Sequence, residues 1–361
     1  MPNRCVLQAQ TEGQVDGKQD SARLNGVVQW HVREGGEGEE RMIKPDRDPK
    51  LYRVISLTNG LTVCLVSDPR CSPLAEDEHL DDNFNDIDSA DDDSEDDDVD
   101  EDYESDGEDC EDGESSDSET EEGNKRRHHP SQRQSAAALC VAVGSFSDPP
   151  EVQGLAHLLE HMVFMGNSRY PSENGFDAFL KRHGGTDNAF TDTHMTTFIL
   201  GCPRRSFARA LNRWAQFFVS PLLREDAVSR ETEAVDSEFQ EALLSDSTRW
   251  EALVSSLARQ GHPMGNFSWG NRKSLQCHGL PKSLREFWEN HYSANHMTLT
   301  VQSQDSLDHL EHLVTKIFSD IPQNNRPKPD FSHVGPAFEP SVLHRLYRGM
   351  TPFCYSEANV T

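Results

Sequence analysis

The sequence predicts an α+β domain in which helices pack on a mixed or antiparallel β-sheet, with one disordered acidic insertion hanging outside it. Three observations carry this. Short apolar runs bounded by turn residues alternate with longer segments of helical period. No apolar run approaches the 18 residues of a membrane span. Of the 63 Asp and Glu in the chain, 28 fall between Glu76 and Glu122 without a single Lys or Arg among them. That block accounts for 28 of the 29 net negative charges, so the remainder is close to neutral.

The elements follow in chain order. Residues 1–45, rich in Gly, Gln and charge, read as a flexible leader, and residues 46–335 as the folded domain. Tyr52 to Leu57, Thr58-Asn59-Gly60 and Leu61 to Val66 read as strand, tight turn and strand, and Ala136 to Val143 as another strand. The acidic block 76–122 therefore interrupts a connection within one sheet. It is too polar and self-repelling to fold alone, and lengthening a flexible connection costs only about 0.6 kcal/mol per doubling. Glu173 to His183 reads as a helix closed by Gly184-Gly185, and Ala189 to Gly201 as strand-like. Arg205 to Val219 reads as an aromatic-rich helix whose Phe207, Leu211, Trp214 and Phe218 form a core stripe. Lys282 to His291 and Ser306 to Phe318 read as helices, and Met297 to Ser303 as a strand.

The chemistry concentrates in His157-Leu158-Leu159-Glu160-His161. Asp148-Pro149-Pro150 punctuates the chain before it, Leu155 to Met165 is apolar and free of Pro and Gly, and Gly166 is a natural stop. On that helix, residues at i, i+3 and i+4 share a face, so both imidazoles can reach one metal with the carboxylate between them. The bland alternative is two ordinary helix histidines beside a solvated glutamate. A catalytic zinc takes a third protein ligand and leaves one position open. Arg224 to Leu244 reads as a helix bearing Glu231 and Glu238, seven residues apart on one face. Either can approach the metal, but a seven-residue step spans about 10 Å, so both cannot ligate one ion.

The order His-x-x-Glu-His is that of the inverzincins, and the chain resembles the insulysin/pitrilysin family of zinc metallopeptidases. The likeness extends through His161-Met162-Val163-Phe164-Met165-Gly166, Glu173-Asn174-Gly175-Phe176, His183-Gly184-Gly185 and Asp187-Asn188-Ala189. It continues through Arg213-Trp214-Ala215-Gln216-Phe217-Phe218, Ala234-Val235-Asp236-Ser237-Glu238 and Gly261-His262-Pro263-Met264-Gly265. The resemblance implies an insulysin/pitrilysin-like metallopeptidase domain holding one Zn2+ per chain. It further implies Glu238 as the third ligand, Glu231 as a carboxylate that helps orient the site, and an exposed strand edge at Asn188 and Ala189 to which substrate adds. Since zinc makes water acidic enough to ionise near pH 7, Glu160 is placed to take its proton and to return it to the leaving amine. No Gly-x-Ser-x-Gly elbow offers a rival nucleophile.

One branch of that family carries a similar acidic block and prefers Arg-containing dibasic sites. The expected substrates are therefore short basic peptides, with basic proteins and polyamines as further partners of the acidic arm and neither nucleic acid nor a membrane span expected. Lys125-Arg126-Arg127-His128-His129 reads as a solvated loop, with nuclear import or docking onto the acidic arm as alternatives, and Ser94, Ser105, Ser116 and Ser118 sit in acidic contexts that suit phosphorylation. The first 30 residues lack a signal-peptide core and the eight Cys show no paired spacing, which points to reduced thiols in the cytoplasm and leaves room for nuclear or cell-surface pools. Family members are built of four related domains in two halves. The chain matches the first, so residues 336–361 read as the truncated start of a second domain or a divergent tail. A second function class therefore stands beside the peptidase: a non-catalytic interaction module whose acidic arm binds basic proteins.

Overall fold

The computed structural model describes residues 27–29, 44, 45, 47–68 and 134–339. The acidic block 76–122, the basic run 125–129 and the tail from residue 340 lie outside the described residues.

Seven strands form one sheet: β1 (Val27–Gln29), β2 (Leu51–Leu57), β3 (Thr62–Ser67), β4 (Gln134–Val141), β5 (Thr186–Thr191), β6 (Thr196–Pro203) and β7 (Met297–Ser303). Their order is β1-β2-β3-β7-β4-β6-β5. β3 and β7 run parallel and every other neighbouring pair is antiparallel, so the sheet is mixed, as the sequence predicts. β1 pairs with the outer edge of β2, inside the stretch expected to be a flexible leader.

The helices are α1 (Leu155–Val163), α2 (Gly175–Arg182), α3 (Arg204–Val219), α4 (Glu225–Ala242), α5 (Asp246–Ser256), α6 (Arg272–Leu275), α7 (Leu280–His291) and α8 (Leu307–Phe318). α3 and α8 lie on one face of the sheet, where period-two alternation turns Val63, Leu65, Leu139, Val141, Phe198, Leu200, Leu299 and Val301 inward. The predicted stripe of α3 meets them: Phe207, Leu211, Trp214 and Phe218 are all buried, and the Trp214 ring lies edge-on to Phe318 of α8 at 6.3 Å. Truncating Trp214 to Ala there costs about 3–5 kcal/mol.

Two departures from the sequence reading have local causes. The strand-like run Ala189 to Gly201 is two strands, because Asp192 and Met195 close a hairpin through Asp192 N–H and Met195 C=O (2.7 Å), and the Asp192 carboxylate takes the Thr193 amide at 2.6 Å. α5 escapes the apolar-period reading because none of its residues is buried. At the predicted β2–β3 turn, Asn59 also reaches across the fold, its Nδ2 donating to the carbonyls of Phe318, Ser319 and Ile321 at the end of α8.

Among the described residues, no helix is long and apolar enough to cross a membrane. Cys64, Cys140, Cys202 and Cys277 form no disulfide.

Candidate metal centre

The helix carrying the His/Glu motif is fixed at both its start and its apolar face. Asp148, which the sequence marks only as a break, accepts the Gly154 amide at 2.7 Å and the Ala156 amide at 2.8 Å, satisfying donors that the first turn of α1 leaves free. Burial pushes its carboxyl up to about 7, although these backbone bonds pull the other way. Leu155, Leu158, Leu159 and Met162 are buried in the core. The opposite stripe, His157, Glu160 and His161, faces a cleft of about 620 Å³.

α4 supplies the partners. Its buried Thr232, Val235 and Phe239 turn Glu231 and Glu238 toward α1. Glu238 Oε2 stands 3.5 Å from His157 Nε2 and 3.6 Å from His161 Nε2, and one donor atom from each of the three lies within 4.8 Å of the others. Glu231 instead meets the far side of the second ring, its Oε2 3.3 Å from His161 Nδ1. The two glutamates that the spacing leaves as alternatives therefore take different positions. His157 is oriented by backbone, with Nδ1 2.6 Å from the Trp269 carbonyl oxygen. A proton on each Nδ1 leaves both Nε2 lone pairs free for a metal.

The charges are strongly coupled. Hydrogen bonding to His157 and His161 holds the Glu238 carboxyl well below the usual carboxylate range. Burial pulls the His161 ring down, but Glu231, Glu238 and Glu160 together raise it to about 9. Glu160 is buried, which pushes its carboxyl up against the opposing effect of Thr191, whose Oγ1 donates to Glu160 Oε2 at 2.5 Å. It thus stands beside the three-donor cluster without belonging to it.

The donor set fits a zinc ion. Two ligands on a tetrahedron with legs of about 2.1 Å lie about 3.4 Å apart, close to the 3.5 and 3.6 Å between Glu238 and the two histidines. Two imidazoles and one carboxylate make a three-ligand set, and the cleft leaves the remaining side open.

The other wall of the cleft is β5, which contributes Asp187, Asn188, Ala189, Phe190 and Thr191. β5 ends the strand order and, among the described residues, pairs only with β6. Because Asp192 and Met195 are hydrogen-bonded across the hairpin, the alternation of an antiparallel ladder directs the main-chain groups of Thr191, Ala189 and Asp187 away from β6. The Ala189 amide accordingly takes a partner from its own side of the strand, the Asn188 Oδ1 at 2.9 Å. Asn188 and Ala189 thus sit on a free edge, about 10 Å and about 7 Å along the strand from the residue that touches Glu160.

Three contributors were not visible in the sequence reading: Asp148, Thr191 and Trp269. Each acts through a contact between separate elements or a backbone oxygen, and neither leaves a local pattern. The Asp148-Pro149-Pro150 break, read only as punctuation, is the one mark that any of them leaves in the sequence analysis.

The cleft residues fall inside a match to a known family. Residues 126–269 match the family model described as Insulinase (Peptidase family M16), and residues 280–347 match the model described as Peptidase M16 inactive domain. Nardilysin of Rattus norvegicus is 56% identical over 237 residues, 64% of this chain and 20% of that protein. A nardilysin-like protein of Arabidopsis thaliana is 40% identical over 311 residues, 84% of this chain and 30% of that protein. The crystal structure of pitrilysin superposes with a TM-score of 0.63 at 27% identity, covering 87% of this chain and 26% of that one. The chain thus spans between a fifth and a third of the length of these relatives.

Proposed function

The chain belongs to the insulinase family of peptidases, and from that premise we propose that it forms the zinc-binding portion of a metalloendopeptidase. His157, His161 and Glu238 hold the ion, Glu160 is the general base, Glu231 orients His161, and the β5 edge at Asn188 and Ala189 receives the peptide. The observation that carries the reading is the convergence of two Nε2 atoms and one carboxylate from separate helices, with a fourth, buried carboxylate alongside.

When bound, zinc supplies Lewis acidity, polarising a carbonyl and making water acidic near neutral pH. The protein's own residues do the rest. Glu160 takes the proton of the attacking water and delivers it to the leaving amine, and the upward pull of burial on its carboxyl suits a group that must both gain and lose a proton. Thr191 holds one Glu160 oxygen, fixing the rotamer and leaving the other oxygen for water. Glu231 and the Trp269 carbonyl keep the two imidazoles in the tautomer that binds metal. The free main-chain groups of β5 accept any extended peptide, and side-chain pockets select among sequences. Short Arg-containing dibasic peptides are the proposed substrates. The acidic block 76–122, outside the described residues, would raise their local concentration.

The test is zinc content and hydrolysis of a quenched peptide bearing an Arg-Lys pair, for the chain and for Glu160→Gln. The reading requires that the variant keep its zinc and lose hydrolysis by about 10²–10⁴-fold. Equal cleavage by both proteins would sink it.

A further inference from the structure

Four carboxylates line the cleft, and three of them are engaged. Glu160 is held by Thr191, Glu231 by His161, and Glu238 by both histidines. The fourth, Asp187, accepts from its own backbone amide and has no hydrogen-bond or ion-pair partner from another side chain among the described residues. It is half-buried. Lys181, whose charge it feels, is tied to Asp177 at 2.7 Å. Burial, reinforced by the charge of Asp177, pushes the Asp187 carboxyl above its ordinary value. A partly desolvated carboxylate facing open space is a costly arrangement that a cation entering the cleft would relieve.

Its place on β5 determines which cation. Side chains alternate along the strand: 186, 188 and 190 are exposed, while Asp187, Ala189 and Thr191 are part-buried and share the other face, on which Thr191 meets Glu160 of α1. Thr191 touches Glu160, so it marks the end of the strand nearest the reacting groups. Asp187 lies four residues back, about 13 Å along the same face. A peptide that adds antiparallel to β5 runs the other way, and the part of it beside Asp187 follows, in chain direction, the part beside Thr191. Its side chains also alternate, so one of them points at the carboxylate.

We infer that Asp187 is a specificity-determining residue that selects an Arg or Lys side chain on the C-terminal side of the scissile bond. The inference rests on the peptidase reading and on peptide docking at the β5 edge, and it adds a named acid to the proposed dibasic preference. A guanidinium at that point gains charge-assisted hydrogen bonds in a half-buried setting, while a neutral side chain leaves the carboxylate as it was.

The experiment compares peptides that differ only by Arg or Gln at each position after the scissile bond, with the 361-residue chain and its Asp187→Asn variant. The expected result is a preference for Arg of about tenfold or more in kcat/KM at one position, reduced to about twofold by Asp187→Asn. Asp187→Lys should invert the preference toward Glu at that same position. An Arg/Gln ratio that Asp187→Asn leaves unaltered would overturn the inference, as would equal losses on both peptides. Fluorescence anisotropy with the same labelled peptides in the Glu160→Gln background reads recognition without turnover. A chain that binds the Arg peptide more tightly through Asp187 but cleaves nothing would end the peptidase reading alone. A chain that cleaves without any Asp187-dependent preference in binding or turnover would end this inference alone.

Discussion

Gly154 and Gly270 meet backbone to backbone: a Cβ on Gly154 would come within 2.1 Å of the Gly270 Cα. Gly154 also has φ +92°, in the left-handed region. This contact lets the loop through Trp269 press against the start of α1, and the Trp269 carbonyl reaches His157 as a result. Gly154→Ala should therefore cost about 2–3 kcal/mol, from the strained backbone and the forced displacement together. It should also weaken zinc binding, because the ligand that His157 presents loses its anchor. Thermal unfolding of the metal-free protein and chelator competition measure the two effects separately. A variant with full zinc affinity would show that the Trp269 contact does not position His157.

Metal binding should report on the cluster independently of catalysis. Zinc at about a hundred times its dissociation constant should stabilise the chain by about 2.7 kcal/mol, and a chelator should remove that gain. His161→Ala and Glu238→Gln should abolish the zinc-dependent shift. Glu231→Gln should keep it but lower the affinity by about 10–100-fold, since Glu231 touches only the far nitrogen of His161. Differential scanning calorimetry with and without zinc checks all four proteins. If Glu231→Gln and Glu238→Gln behaved alike, the division between them would be wrong.

The sheet was largely legible in the sequence because its strands alternate cleanly. Met297–Ser303 coincides with its strand, and α3 carries its stripe where the period places it. The insertion of β7 between β3 and β4 was not legible, since the parallel pairing of Val63 with Leu299 joins residues from opposite ends of the domain. At the site, His157, Glu160 and His161 are local in sequence and so could be read from spacing alone. Glu231 and Glu238 remained alternatives on spacing: both face α1, and which of them meets the two Nε2 atoms rather than the far nitrogen of His161 depends on how α4 packs through Val235 and Phe239. Trp269 contributes a main-chain oxygen, and Thr191 only a hydroxyl. Composition and periodicity are blind to both.

Acidification should destabilise the protein through His291. Burial, with the charges of His296 and Arg326, drives its pKa down to about 4 from an ordinary 6.5. The neutral ring is therefore the one the fold accepts, and the unfolded chain takes up the proton first. By linkage, the stability His291 contributes is intact above about pH 6.5 and is lost as pH falls toward about 4. Urea unfolding of the chain and of His291→Gln at about pH 7 and about pH 5 tests this, because other titrating groups cancel in the comparison. The gap between the two proteins should narrow on acidification. A constant gap would mean that His291 titrates normally.

Charge in the acidic block should act on substrate capture rather than on chemistry. Added salt should raise KM for a basic peptide and leave kcat nearly fixed, because exposed charges are screened beyond about 8 Å at physiological ionic strength. Deleting residues 76–122 should remove that salt dependence. A KM that responds to salt equally with and without the block would place the attraction elsewhere, with Asp187 and the cleft carboxylates the remaining negative charges near the peptide.

The free edge of β5 can be closed without touching the metal or the base. The Ala189 amide points away from β6 and, among the described residues, bonds only the Asn188 side chain, so replacing Ala189 with Pro removes an edge donor while the β5–β6 ladder keeps its bonds. Ala189→Pro should fold, bind zinc with the affinity of the parent, and lose peptide hydrolysis by roughly tenfold or more, the equivalent of one main-chain hydrogen bond of about 1.5 kcal/mol. Asn188→Ala has the opposite logic: it frees the same amide from an internal competitor, so a peptide strand no longer has to displace the side chain. Weaker KM in the proline variant with unchanged zinc affinity would support strand addition at this edge. If Ala189→Pro cleaved as well as the parent, the peptide would have to enter the cleft by another wall, and the alternation that brings Asp187, Ala189 and Thr191 to face it would lose its purpose.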